Sequence, residues 1–145
     1  MGLSQNIYFF LEEVRYNLKD KGKTRHWIIK AAENEDYTVG TLNIIFTNDN
    51  ILLTLNTEYL RHSTLTDIIT FDMSEKRGEI AGDIFISVDR AKENSKEYGV
   101  NLSNEVRRLI IHGVLHLMGY KDKTQAEKEL MREKEEFYLS LPPWS

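Results

Sequence analysis

At 145 residues, 41% of them hydrophobic and 29% charged, the chain has the make-up of one ordinary globular domain, so neither disorder nor a coiled coil is the default reading. The net charge of -4 argues against a wholly basic nucleic-acid binder, and the absence of cysteine excludes a disulfide framework and thiolate metal ligands. Any metal must therefore sit on imidazole and carboxylate groups. The opening MGLSQNIYFFLEEVRYN has no basic region followed by an apolar signal core, and no apolar run is long enough to span a bilayer, so a cytoplasmic protein without a membrane anchor is expected. Charge is uneven: residues 1–30 carry six Lys or Arg against three acids, whereas residues 31–60 carry five acids and no Lys or Arg. A basic edge around LKDKGKTR is one reading and a solvated loop is the other.

In chain order, the run IYFF at 7–10 suits a first strand. TRHWIIKAAENE places Trp27, Ile28, Ala31 and Ala32 on one helical face, with Thr24 as the expected N-cap. Gly40 opens the β-branched strand TLNIIFT, and Asn48 or Asp49 caps the helix NILLTLNTEYL. TDIITFDM and GDIFISV, separated by a polar, Gly-containing connection, read as adjacent antiparallel strands. DRAKENSKEYG is a helix stopped by Gly99, SNEVRRLIIHGVLHLMG a helix from a Ser103 cap to Gly119, and TQAEKELMREKEEFYLSL a helix opened by the capping box Thr124 to Glu127. The expectation is one α/β (α+β) domain over residues 1–145. It has about four strands in a mixed sheet, about five helices, and strand order left open.

Two of the four histidines, His112 and His116, stand four residues apart in RRLIIHGVLHLMGYKDK. A helix advances about 1.5 Å and 100° per residue, so the pair lies about 6 Å apart along the axis and about 40° apart around it. Both imidazoles can thus converge on one ion. Gly119 can reverse the chain in the left-handed conformation and bring Asp122 back as a third ligand, giving His-x3-His-x5-Asp with one position open for water. The competing account is that hydrogen bonds alone satisfy two buried histidines. In the zinc proteases His-Glu-x-x-His supplies a general base, but that position is Gly113 here, so peptide hydrolysis by that route is not expected. Water on the metal could still attack a phosphodiester or activate attack on it, and Arg108, one turn before His112, is a candidate to stabilise phosphoryl charge.

HGVLHLMGY at 112–120 resembles the signature of the YbeY family of bacterial endoribonucleases. LNTEYL followed by LTDIITF, and AGDIFIS at 81–87, are similar to the family's other segments in the same order, so the likeness covers roughly residues 40–140. The resemblance implies a small zinc-bound α/β protein cutting single-stranded RNA in maturation of the 16S rRNA 3′ end and in ribosome quality control, with the small ribosomal subunit as partner. It also implies His112 and His116 as metal ligands. The family's usual third histidine is Asp122 here; a carboxylate ligates zinc at about 2.0–2.2 Å, but the harder, less positive site brings Mn or Fe within reach. The family's upstream basic position is Leu60; Arg61 is rotated from it by about 100°, which leaves His62 as the catalytic candidate. Asp67 is a candidate to orient a ligand. A ribosome-assembly factor with a structural metal and a metal hydrolase with another substrate are the alternatives.

Overall fold

The apolar run Ile7–Leu11 forms β1, and the alternating stretch Thr38–Thr47 lies beside it as β2, parallel, with Ile7 opposite Leu42. Helix α1 (Lys21–Asn34) connects them and buries Trp27, Ile28, Ala31 and Ala32. The chain continues through α2 (Asp49–Tyr59) to β3 (Ile68–Asp72) and β4 (Glu79–Ser87). The sheet order is β1-β2-β4-β3; β4 runs parallel to β2 and antiparallel to β3, so the two apolar runs pair as the sequence suggests. Helices α3 (Val88–Tyr98), α4 (Leu102–Leu117) and α5 (Gln125–Leu139) complete a single α/β domain of four strands and five helices among the described residues. The computed structural model describes residues 6–59 and 66–144; Leu60, Arg61 and His62 lie outside them. Among the described residues, no helix is long and apolar enough to cross a membrane.

Several element boundaries differ from the sequence-based expectation, each for a local reason. Helix α1 starts at Lys21, after Asp20 in the left-handed conformation, and Thr24 is no cap: its hydroxyl donates to the Asp20 carbonyl at 2.9 Å. Gly22 sits in the first turn, where backbone N–H groups have no intrahelical partner to lose, so it does not break the helix. Strand β2 starts at Thr38 rather than at Gly40, and its register on β4 shifts between Val39 and Leu42, the irregularity that a glycine inside a strand marks. Asn48 is the residue that caps α2, its side-chain oxygen accepting from Ile51 N–H at 2.9 Å. Asn101 rather than Ser103 caps α4, accepting from Asn104 N–H at 2.7 Å. Gly99 in the left-handed conformation does end α3, and the Thr124–Glu127 capping box is present.

The position of α4 decides where the site lies. Val106, Leu109, Ile110, Val114, Leu115 and Leu117 are buried, and the helix touches β4, β3, α1, α3 and α5. Burying each such side chain contributes roughly 1.5–3 kcal/mol. Gly113 lets α4 rest directly on the sheet: a Cβ there would stand 2.8 Å from Ile84 Cγ2 and 3.0 Å from Ile68 Cδ1. The glycine that removes the protease base therefore faces the strands rather than the histidines. In β4, Gly82 has φ 147°, and a Cβ would lie 2.0 Å from the Phe71 carbonyl, so only glycine permits the β3–β4 pairing at this point.

Candidate metal centre

His112 and His116 project from α4 onto the same side, with Nε2 atoms 3.0 Å apart. Just beyond them the chain reverses. Gly119, at φ 98°, donates to the His116 carbonyl, and Tyr120 N–H donates to the Leu115 carbonyl; this pair of bonds and the positive φ form a Schellman ending. The reversal returns Asp122 to the histidines, its Oδ2 lying 3.3 Å from His112 Nε2 and 3.4 Å from His116 Nε2.

The three atoms fit one cation. Around an ion with bonds of about 2.0–2.1 Å, neighbouring donors of a tetrahedron stand about 3.3 Å apart, and the observed separations of 3.0, 3.3 and 3.4 Å match that spacing. Two imidazoles and a carboxylate suit zinc and the harder divalent ions alike. Burial, and then the neighbouring His112, lower the pKa of His116, which favours the neutral, ligating form.

The other side of the His112 ring is held as well. His112 Nδ1 lies 2.5 Å from Glu135 Oε2. A carboxylate on Nδ1 fixes the tautomer that leaves Nε2 free to ligate. Glu135 is buried on α5 and was not singled out from the sequence. Its signal was there: with Met131 and Tyr138 it forms the buried stripe of an otherwise charged helix, and an acid in such a stripe needs a partner.

Arg108 lies one turn before His112, where the sequence places it, but its guanidinium is committed to carboxylates. It donates to both oxygens of buried Glu105 at 2.9 and 2.7 Å and to Glu135 Oε1 at 3.2 Å. Burial works against its charge, but the Glu105 carboxylate and then Glu135 raise its pKa further. Arg108 thus neutralises the acids that orient His112. Asp67 belongs to the outer part of this cluster, accepting from Asn94 at 3.0 Å and standing 4.0 Å from Arg108 Nη2, and it makes no hydrogen bond to the three candidate ligands. Tyr120, next to the metal motif, donates its hydroxyl to Glu35 at 2.6 Å and packs against the core.

Two clefts meet at the triad. One, of about 470 Å³, lies between α3, α4 and α5 and includes His112 and Asp122 in its wall. The other, of about 270 Å³, is bounded by Thr66–Thr70 and all three candidate ligands.

Comparison with known proteins places this architecture. The family model described as "Endoribonuclease YbeY" matches residues 11–141. The chain belongs to the YbeY family. A YbeY relative from Cytophaga hutchinsonii, named "Endoribonuclease YbeY", is 47% identical over 137 residues, covering 94% of this chain and 96% of that one. YbeY relatives with the same name from Amoebophilus asiaticus and Flavobacterium psychrophilum are 41% and 42% identical, covering 92% and 91% of this chain and 91% and 94% of their own. A solution structure of a Thermotoga maritima protein superposes with a TM-score of 0.64 over 92% of this chain and 86% of its own at 23% identity, which shows that the fold is shared.

Proposed function

We propose that the chain is a metal-dependent endoribonuclease that cuts single-stranded RNA, with His112, His116 and Asp122 as the ligands of one divalent cation. The observation carrying this reading is the mutual spacing of the three donor atoms, 3.0 to 3.4 Å, within the segment matched by the family model. A bound cation supplies Lewis acidity toward a phosphoryl oxygen and toward water. The chain's own groups do the rest. Glu135 holds His112 in its ligating tautomer, and the Schellman reversal at Gly119 carries Asp122 into place. Arg108 balances Glu105 and Glu135, and it takes the positioning part in place of a direct contact with phosphate.

Zinc is the ion this donor set favours under the resemblance. Maturation of the 16S rRNA 3′ end on the small ribosomal subunit, in the cytoplasm, is the finer role that the YbeY relationship supports. His62 remains the proposed direct contact to phosphate.

The test compares cleavage of a single-stranded RNA by the metal-loaded protein and by a His116→Ala variant purified in parallel, with bound metal measured in both. Loss of metal and cleavage together in the variant is the expected result. Equal cleavage by the two proteins would identify a contaminating nuclease, and loaded protein that leaves RNA intact would overturn the proposal.

A further inference from the structure

We infer that the larger cleft, between α3, α4 and α5, is a nucleobase subsite of the metal centre, and that Tyr98 is its stacking platform; the inference rests on the RNA-cleaving reading above. The cleft shares His112 and Asp122 with the triad, so a group within it is adjacent to whatever the cation holds. Its volume of about 470 Å³ falls in the range of small-molecule sites, roughly 300–1,000 Å³.

The lining selects what enters. Tyr98, Val100, Met131 and Leu139 offer apolar surface, while Glu105, Glu135 and Glu136 place carboxylates along the same wall. Glu105 and Glu135 already hold Arg108, so its charge is not available to a second anion. A phosphate beside Glu105, Glu135 and Glu136 would face three carboxylates against the one charge of Arg108, whereas a flat, uncharged ring would not. Phosphates therefore stay at the cation and beside Lys128 and Arg132 on the α5 wall, and the base turns inward.

Tyr98 is suited to receive that base. It is the last residue of α3, after which Gly99 in the left-handed conformation turns the chain away, and its side chain remains 56% exposed despite its size. The Arg108 guanidinium stands 5.8 Å from the ring centroid and helps hold the ring at the cleft wall. The Asn104 side-chain amide also lines the cleft and, among the described residues, makes no hydrogen bond; it offers a donor and an acceptor to a base edge. The smaller cleft, which also has His112 and Asp122 in its wall, is bounded by Thr66, Asp67 and Thr70. A strand held at the cation has a cleft within reach on either of two walls, and the cleft holding Tyr98 takes the base of one flanking nucleotide.

The first measurement uses the zinc-loaded protein with uridine and adenosine 5′-monophosphates, and with ribose 5-phosphate as the ligand without a base. The nucleotides are expected to bind at least about tenfold more tightly than ribose 5-phosphate, and Tyr98→Ala to weaken them about 5- to 150-fold, the span of one base-on-aromatic stack, while Tyr98→Phe binds as the parent does. Equal affinity for ribose 5-phosphate, or no loss in Tyr98→Ala, overturns the subsite. The second measurement replaces the base on either side of the cut bond with an abasic unit. The parent is expected to lose cleavage on one of these RNAs, and Tyr98→Ala to lose little more on it. Cleavage insensitive to both changes overturns the subsite and leaves the endoribonuclease standing. Tyr98-dependent nucleotide binding without cleavage of any RNA supports the subsite and overturns the ribonuclease reading.

Discussion

His112 Nδ1 and Glu135 Oε2 lie 2.5 Å apart and join α4 to α5 directly behind the candidate metal triad. Glutamine at position 135 keeps the size but not the charge that selects the Nδ1–H tautomer of His112. Glu135→Gln is therefore expected to weaken zinc binding about 10- to 100-fold. Competition against a chromogenic chelator measures this directly, and unchanged affinity would remove Glu135 from the site.

Gly113 offers a test of packing. Alanine in a helix interior normally gains about 1 kcal/mol over glycine, but its Cβ would press on Ile84 at 2.8 Å and Ile68 at 3.0 Å. Overpacking of this kind costs about 1–3 kcal/mol, so Gly113→Ala is expected to lower stability in urea unfolding despite the propensity gain. A more stable variant would mean that α4 can lift from the sheet without penalty.

The start of α4 separates two residues that the sequence makes similar candidates. Asn101→Ala removes the bond to Asn104 N–H and is expected to cost about 1 kcal/mol. Ser103→Ala, at an exposed first-turn position, is expected to stay within about 0.5 kcal/mol of the parent. Equal losses in thermal unfolding would contradict the cap assignment.

Glu35 predicts a pH dependence. Burial pushes its carboxyl upward, but the hydroxyls of Tyr120 and Tyr138 and the Lys134 ammonium outweigh this and bring its pKa below the ordinary 4.5. A carboxyl with a depressed folded-state pKa stabilises the protein fully above pH 4.5 and loses that contribution as pH falls through the folded value. Glu35→Gln should thus be less stable than the parent near neutrality by on the order of 1 kcal/mol, with the gap closing in acid as pH falls below 4.5. A difference constant from pH 7 to pH 3 would rule out this origin.

The elements were legible where local chemistry decides them. The buried face of α1, the antiparallel β3–β4 pair, Gly99, the Thr124–Glu127 box and the reversal at Gly119 each follow from residue type and spacing. Boundaries set by longer-range fit were not. Thr24 and Ser103 are good caps by type, but the chain before them folds into helix first, and the Gly40 bulge arises only once β2 lies on β4. The juxtaposition of His112, His116 and Asp122 could be anticipated from one helix and one turn. For Glu135 the stripe on α5 signals only that a buried acid needs a partner; that the partner is His112 follows from the docking of α5, and the pairing of Arg108 with two acids required the same packing.

At its C-terminal end, α5 is tied to α1: Trp27 Nε1 donates to the Tyr138 carbonyl, and Trp144 packs edge-on against Trp27 at 5.7 Å while Arg107 stacks over the Trp144 ring at 4.1 Å. The C-terminal turn is thereby a remote anchor for Glu135. Fraying from that end withdraws the carboxylate from His112 before the histidines themselves move. By reciprocity a cation on the triad slows that fraying, so amide exchange along α5 would report metal occupancy from a helix that supplies no ligand.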